Sequence, residues 1–66
     1  MLIILNGHPR SVDPQSTLKD LLRRLELQNR RLAVEVNQKV ISRSEHIKFK
    51  LSEGDKVEII QAVGGG

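Results

Sequence analysis

Cysteine is absent from this chain of 66 residues. That excludes disulfides, thiolate nucleophiles and Cys-based zinc sites, and it suits a reducing compartment. Tryptophan and tyrosine are also missing, and Phe49 is the single aromatic residue, so there is no platform for stacking bases. No long hydrophobic run occurs. The opening "MLIILNGHPR" carries no basic leader, and its apolar stretch is too short for a signal peptide or a bilayer span. The expectation is a soluble, cytoplasmic chain with no membrane partner. A chain of this length hides only about 60% of the surface its unfolded form exposes. It therefore forms one domain with a thin core and no covalent staple.

The residues present offer little chemistry of their own. Eleven Lys and Arg against eight Asp and Glu leave a formal charge of +3. Arg23, Arg24, Arg30 and Arg31 cluster around an expected helix end. Cations favour a helix C-terminus and solubilise a surface, whereas a nucleic-acid site would want aromatics that are not there. His8 and His46 are far apart in the sequence, with no acidic or cysteine cluster beside either. Both read as polar surface residues, with no metal expected. Ser11, Ser16, Ser42, Ser44 and Ser52 sit in no nucleophile motif. Asp13, Asp20 and Asp55 have no evident acid/base partner. The terminal "GGG" precedes no helix that could receive a phosphate. No catalytic residue and no permanently bound cofactor are predicted.

The pattern along the chain is clearer. Residues 1–5 are apolar and lead into Asn6-Gly7, the strongest short hairpin signal, because a type I′ turn needs positive φ at both central positions. A second strand is expected over 8–12, with the amide side of Pro9 at a sheet edge or a bulge because Pro9 cannot donate to a ladder. Thr17 with Asp20 resembles a capping box. Leu18, Leu21, Leu22 and Leu25 fall at i, i+3, i+4 and i+7, one apolar stripe. "LAVEV" at 32–36 reads as a strand, Asn37-Gln38 as a tight turn, and "KVI" at 39–41 as a short strand. Residues 42–50 have no clean period and predict a loop with a short turn of helix. Gly54 marks a turn before "KVEIIQA" at 56–62, a strongly β-prone last strand. The fold class is α+β, a mixed sheet of about five strands with one main helix on one face.

Alternation divides each strand between two faces. Val57 and Ile59 form one set in the last strand; Glu58, Ile60 and Ala62 form the other, which a helix stripe does not readily cover. If the first and last strands pair, Leu2, Ile4, Ile60 and Ala62 share the uncovered face as an apolar patch, a candidate docking surface. Beside it lies the tail, Val63, Gly64, Gly65 and Gly66. Glycine is costly to order, but without Cβ atoms it makes a thin stalk that adopts any φ/ψ and can thread a narrow channel. Residues 63–66 extended reach roughly 13–14 Å. The α-carboxylate of Gly66 is anionic and a poor electrophile at neutral pH, so an outside enzyme must activate it. The domain is assigned to 1–62 and the tail to 63–66.

These segments resemble the sulfur-carrier (ThiS) family of thiamine biosynthesis, within the ubiquitin-like β-grasp group. The resemblance rests on "LNG" after the first strand, "TLKDLL" in the helix, "LAVEVNQKVISRSE" in the middle and "LSEGDKVEIIQAVGGG" at the end. It implies that an adenylating enzyme of the ubiquitin-activating type uses ATP-Mg to activate Gly66. Sulfur from cysteine, passed through a desulfurase, then makes a thiocarboxylate, which delivers it to thiazole synthase. The resemblance also implies that the first and last strands pair in the centre of the sheet. Gln38 departs from the family, which often has glycine after Asn37. Two alternatives stand beside this reading. One is the small subunit of molybdopterin synthase, a family usually longer and more acidic. The other is a basic β-grasp module that binds RNA or protein through Arg23, Arg24, Arg30 and Arg31.

Overall fold

A computed structural model describes residues 1–61. In chain order it contains β1 (Leu2–Leu5), β2 (His8–Ser11), α1 (Leu18–Arg24), β3 (Leu32–Val36), β4 (Lys39–Ile41), a 3-10 turn (Arg43–Glu45) and β5 (Lys56–Gln61). The five strands make one mixed sheet in the order β2-β1-β5-β3-β4. β5 runs parallel to β1, with Leu5 opposite Val57, and antiparallel to β3, with Val36 opposite Val57. The α+β expectation holds, and the first and last strands are neighbours in the middle of the sheet. The strand expected over 8–12 closes one residue early, and Val12 leaves it to enter the core at 4% exposure.

Local chemistry explains the elements. Asn6 (φ 48°) and Gly7 (φ 84°) form the left-handed pair that joins β1 to β2. Pro9 sits on edge strand β2, opposite Ile4, where a missing donor costs no central ladder bond. Thr17 caps α1: its Oγ1 accepts the Asp20 amide at 3.1 Å, and the Asp20 carboxylate accepts the Thr17 amide at 3.0 Å. The hydrogen bonds from Thr17, backbone first, hold the Asp20 carboxyl below the usual carboxylate range. The cap is therefore complete at neutral pH and is lost as pH falls through that lowered value.

The far end of α1 closes less comfortably. The Leu27 amide reaches the Leu22 carbonyl at 2.8 Å and the Glu26 amide reaches Arg23 at 3.0 Å, the Schellman pattern. The left-handed position that glycine normally fills is held by Glu26 (φ 60°). The β3–β4 turn is similar, with Asn37 (φ 52°) and Gln38 (φ 71°) both left-handed.

The core lies between α1 and one sheet face. Ile3, Leu18 and Val57 are fully buried; Leu21, Leu22, Val34, Val36, Val12 and Leu51 complete it. Leu25, fourth in the helical stripe, is the C-cap and only packs against its edge. With so few buried side chains, each matters. Leu21→Ala is expected to cost about 2–5 kcal/mol, a large share of a stability of roughly 5–15 kcal/mol, and to show as partial unfolding in a urea titration. Gln38→Gly removes left-handed strain of about 1–2 kcal/mol against glycine's entropy cost of about 0.5–1 kcal/mol, and is expected to stabilise by about 0.5–1 kcal/mol net. In a domain of this size that raises the thermal midpoint by a few degrees.

Candidate functional site

β5 ends the described structure at Gln61. Ala62, Val63, Gly64, Gly65 and Gly66 lie outside the described residues. The chain from residue 62 to 66 spans at most about 17–18 Å, counted from Gln61, which pairs with Leu32 of β3.

Two asparagine side chains, as well as the ladders, tie β5 down, Asn37 at the start of the strand and Asn6 towards the tail end. Asn6 Oδ1 accepts the Ile59 amide at 2.8 Å, continuing the β1–β5 pairing past the end of β1. Asn37 Oδ1 accepts the Lys56 amide at 3.0 Å while its Nδ2 donates to Asp55 at 3.1 Å. Both residues sit in the left-handed turns, so one side chain at each turn serves the hairpin and β5 together.

The sheet face away from α1 carries Leu2, Ile4, Lys56, Glu58, Ile60, Ala33, Glu35 and Val40, by register and alternation. Leu2 is 45% and Ile60 56% exposed; Ile4 is half-buried. Leu2, Ile4 and Ile60 thus share the uncovered face, but not as a single patch. Ile4 stands opposite Lys56 in the parallel register, so Leu2 lies two positions back and Ile60 four positions ahead. At about 3.3 Å per residue that separates them by roughly 20 Å, with Lys56 and Glu58 between. The parallel offset is set by backbone pairing, which alternation in either strand does not report. Ile60 instead neighbours Ala33 on β3. In the next row Glu58 and Glu35 face each other directly, a like-charge pair that costs stability in an isolated sheet.

The other candidates scatter. His8 is exposed. His46, expected at the surface, is 6% exposed, with Nε2 at 3.1 Å from the Ile41 carbonyl oxygen. The 3-10 turn over Arg43–Glu45 brings the ring inward beneath the end of β4, a placement that sequence spacing does not signal. Arg23 and Arg24 occupy the last turn of α1. Arg24 pairs with Asp13 at 3.8 Å on the exposed surface, a contact worth little. Arg30 and Arg31 line two different hollows. Among the described residues no three His, Cys, Asp or Glu side chains are grouped to hold a metal, and no helix is long and apolar enough to cross a membrane.

The sequence model of the ThiS family matches residues 3–66. The crystal structure of a thiamine biosynthesis protein (ThiS) from Geobacter metallireducens superposes with a TM-score of 0.85 at 32% identity, covering all of both chains. The sulfur carrier protein ThiS of Bacillus subtilis is 36% identical over 50 residues, 76% of each chain. Thiazole synthases of Paramagnetospirillum magneticum and Magnetococcus marinus are 33% and 38% identical over all 66 residues of this chain, which spans 20% of their length.

Because Ile60 is exposed and Leu21 is core, charging the former leaves the fold standing. Ile60→Asp is expected to keep the thermal midpoint within a few degrees of the parent. A collapse of the melting transition in that variant would place Ile60 in the core.

Proposed function

The chain belongs to the ThiS family, and from that premise we propose that it is a sulfur carrier in thiamine biosynthesis whose working group is the α-carboxylate of Gly66. The observation that carries this reading is the family match through residue 66, joined to a last strand held in the centre of the sheet. A rigid base with a terminal run of glycines suits delivery of a carboxylate into another protein's cleft.

Carboxylates resist nucleophiles, so activation comes first. An adenylating partner supplies ATP-Mg. A carboxylate oxygen of Gly66 attacks the α-phosphorus, pyrophosphate departs, and the acyl adenylate becomes open to sulfur. A desulfurase draws sulfur from cysteine as a persulfide, whose terminal sulfur displaces AMP to give an acyl disulfide. A thiol reductant then cleaves the S–S bond, leaving the thiocarboxylate on Gly66 and a disulfide on the sulfur donor. In this scheme the chain is a co-substrate of its partners, not a catalyst, and it binds no cofactor permanently. Gly64 and Gly65, lacking Cβ atoms, let the end pass through a narrow channel, and Val63 begins the stalk. Relatives in which a similar segment makes up a fifth of a thiazole synthase support that enzyme as the recipient. The Ile60 end of the open sheet face, which Ala62 follows in the sequence, is the part of the expected docking surface nearest the tail. Leu2 and Ile4 would contact a partner separately.

Incubation with ATP, an adenylating enzyme and a sulfur source is expected to replace one oxygen by sulfur at Gly66, seen by intact-mass analysis with fragmentation. Removal of residues 65–66 is expected to abolish the change. Persistence of the mass shift in the truncated chain, or its location elsewhere, would refute the assignment.

A further inference from the structure

A groove of about 450 Å³ opens between the C-terminal turn of α1 and the 3-10 turn. Among the described residues its charged rim is wholly cationic, formed by Lys19, Arg30 and Arg43, with no carboxylate in the lining. Among the described residues the one ion pair is Arg24 with Asp13, so none of these three cations is matched by an acid there. Arg43 spends one donor on the Gln28 carbonyl at 3.2 Å, and a guanidinium has others to offer. The floor is apolar: Leu22 is buried, Leu32 half-buried, and Ile47 stands on the lip at 58% exposure.

The groove is preformed. The Schellman closure of α1 holds one wall, through the Leu27 amide on the Leu22 carbonyl at 2.8 Å. The other wall is joined to the start of the helix by backbone bonds from Lys19 to His46 at 3.1 Å and from Leu18 to Phe49 at 3.0 Å. Its volume is within the range of natural ligand sites. Leu32 and Arg43 also border a second hollow that ends at Ile60 and Gln61, so the basic track leads to the root of the tail.

We infer that this groove binds an acidic segment of a protein partner, with one bulky apolar side chain on the Leu22–Leu32 floor and flanking carboxylates on Lys19, Arg30 and Arg43. Charge complementarity selects an anion. The apolar floor and the exposed Ile47 select a peptide over nucleic acid, which would use the cations but leave the floor empty and would look for aromatics to stack on. The groove's chemistry stands without the carrier reading; only the idea that its occupant belongs to an enzyme that takes up the tail rests on it.

The test is an amide-shift titration of the full chain by NMR with three probes. These are a synthetic peptide of two leucines flanked by Glu and Asp, the same peptide with Lys at every acidic position, and oligothymidylate. The acidic peptide is expected to shift the amides of residues 19, 22, 30, 32 and 43–47 saturably. Lys19→Glu combined with Arg43→Glu is expected to weaken it about tenfold or more. Ile47→Ser, which leaves every charge in place, is expected to weaken it as well and decides the matter should the charge-reversed chain not fold. Shifts that fail to saturate, map elsewhere, survive Ile47→Ser or appear equally with the Lys peptide overturn the proposal, as does tighter binding of oligothymidylate to the same residues. A parallel thiocarboxylate assay separates the two readings. No sulfur at Gly66 in the parent chain defeats the carrier reading and leaves the titration to judge the groove. Normal conversion and unchanged KM for the adenylating enzyme in the Lys19→Glu, Arg43→Glu chain defeat the groove's role with that enzyme alone.

Discussion

Everything in this molecule is arranged around β5, the last strand in sequence and the middle strand in space. It pairs with β1 in one direction and with β3 in the other, and Val57, opposite both Leu5 and Val36, is fully buried. Parallel neighbours cannot be joined by a tight turn, so the intervening chain must cross over the sheet. That crossing is where α1 acquires a face to cover. The segment with the proposed working group follows directly on this central strand.

A small domain has little core with which to hold such a strand, and side-chain hydrogen bonds at the turns add to it. Asn6 and Asn37 adopt left-handed conformations that bend the chain, and each also bonds β5. Asparagine suits both duties, because it tolerates positive φ and carries a short amide within reach of the neighbouring strand. Gln38 and Glu26 occupy left-handed positions without such a second duty, and they mark places where the fold accepts local strain.

The two faces of the sheet divide the labour. One is sealed by Leu18, Leu21 and Leu22. The other stays open, with Ile60 beside Ala33 at the tail end and a row of paired glutamates behind them. Glu35 opposite Glu58 is poor design for a sheet that stays bare, and a cationic group brought over the pair would relieve the repulsion. The groove by α1 shows the opposite bias, cations around leucines.

Much of this was legible in the chain itself. Asn6-Gly7, the Thr17–Asp20 box, the leucine spacing and the β-prone 56–62 segment state local preferences, and local preferences act between near neighbours in sequence. The expectation of a thin terminal stalk likewise comes from the side chains those glycines lack. What backbone pairing across the sheet decided was different in kind. The β1–β5 offset pulled Leu2 and Ile60 apart, the 3-10 turn buried His46, and Arg30 and Arg43 met Lys19 at a groove from three separate segments. None of these has a signature in spacing, because register and long-range packing are settled only when distant segments compete for the same partner strand and the same small core.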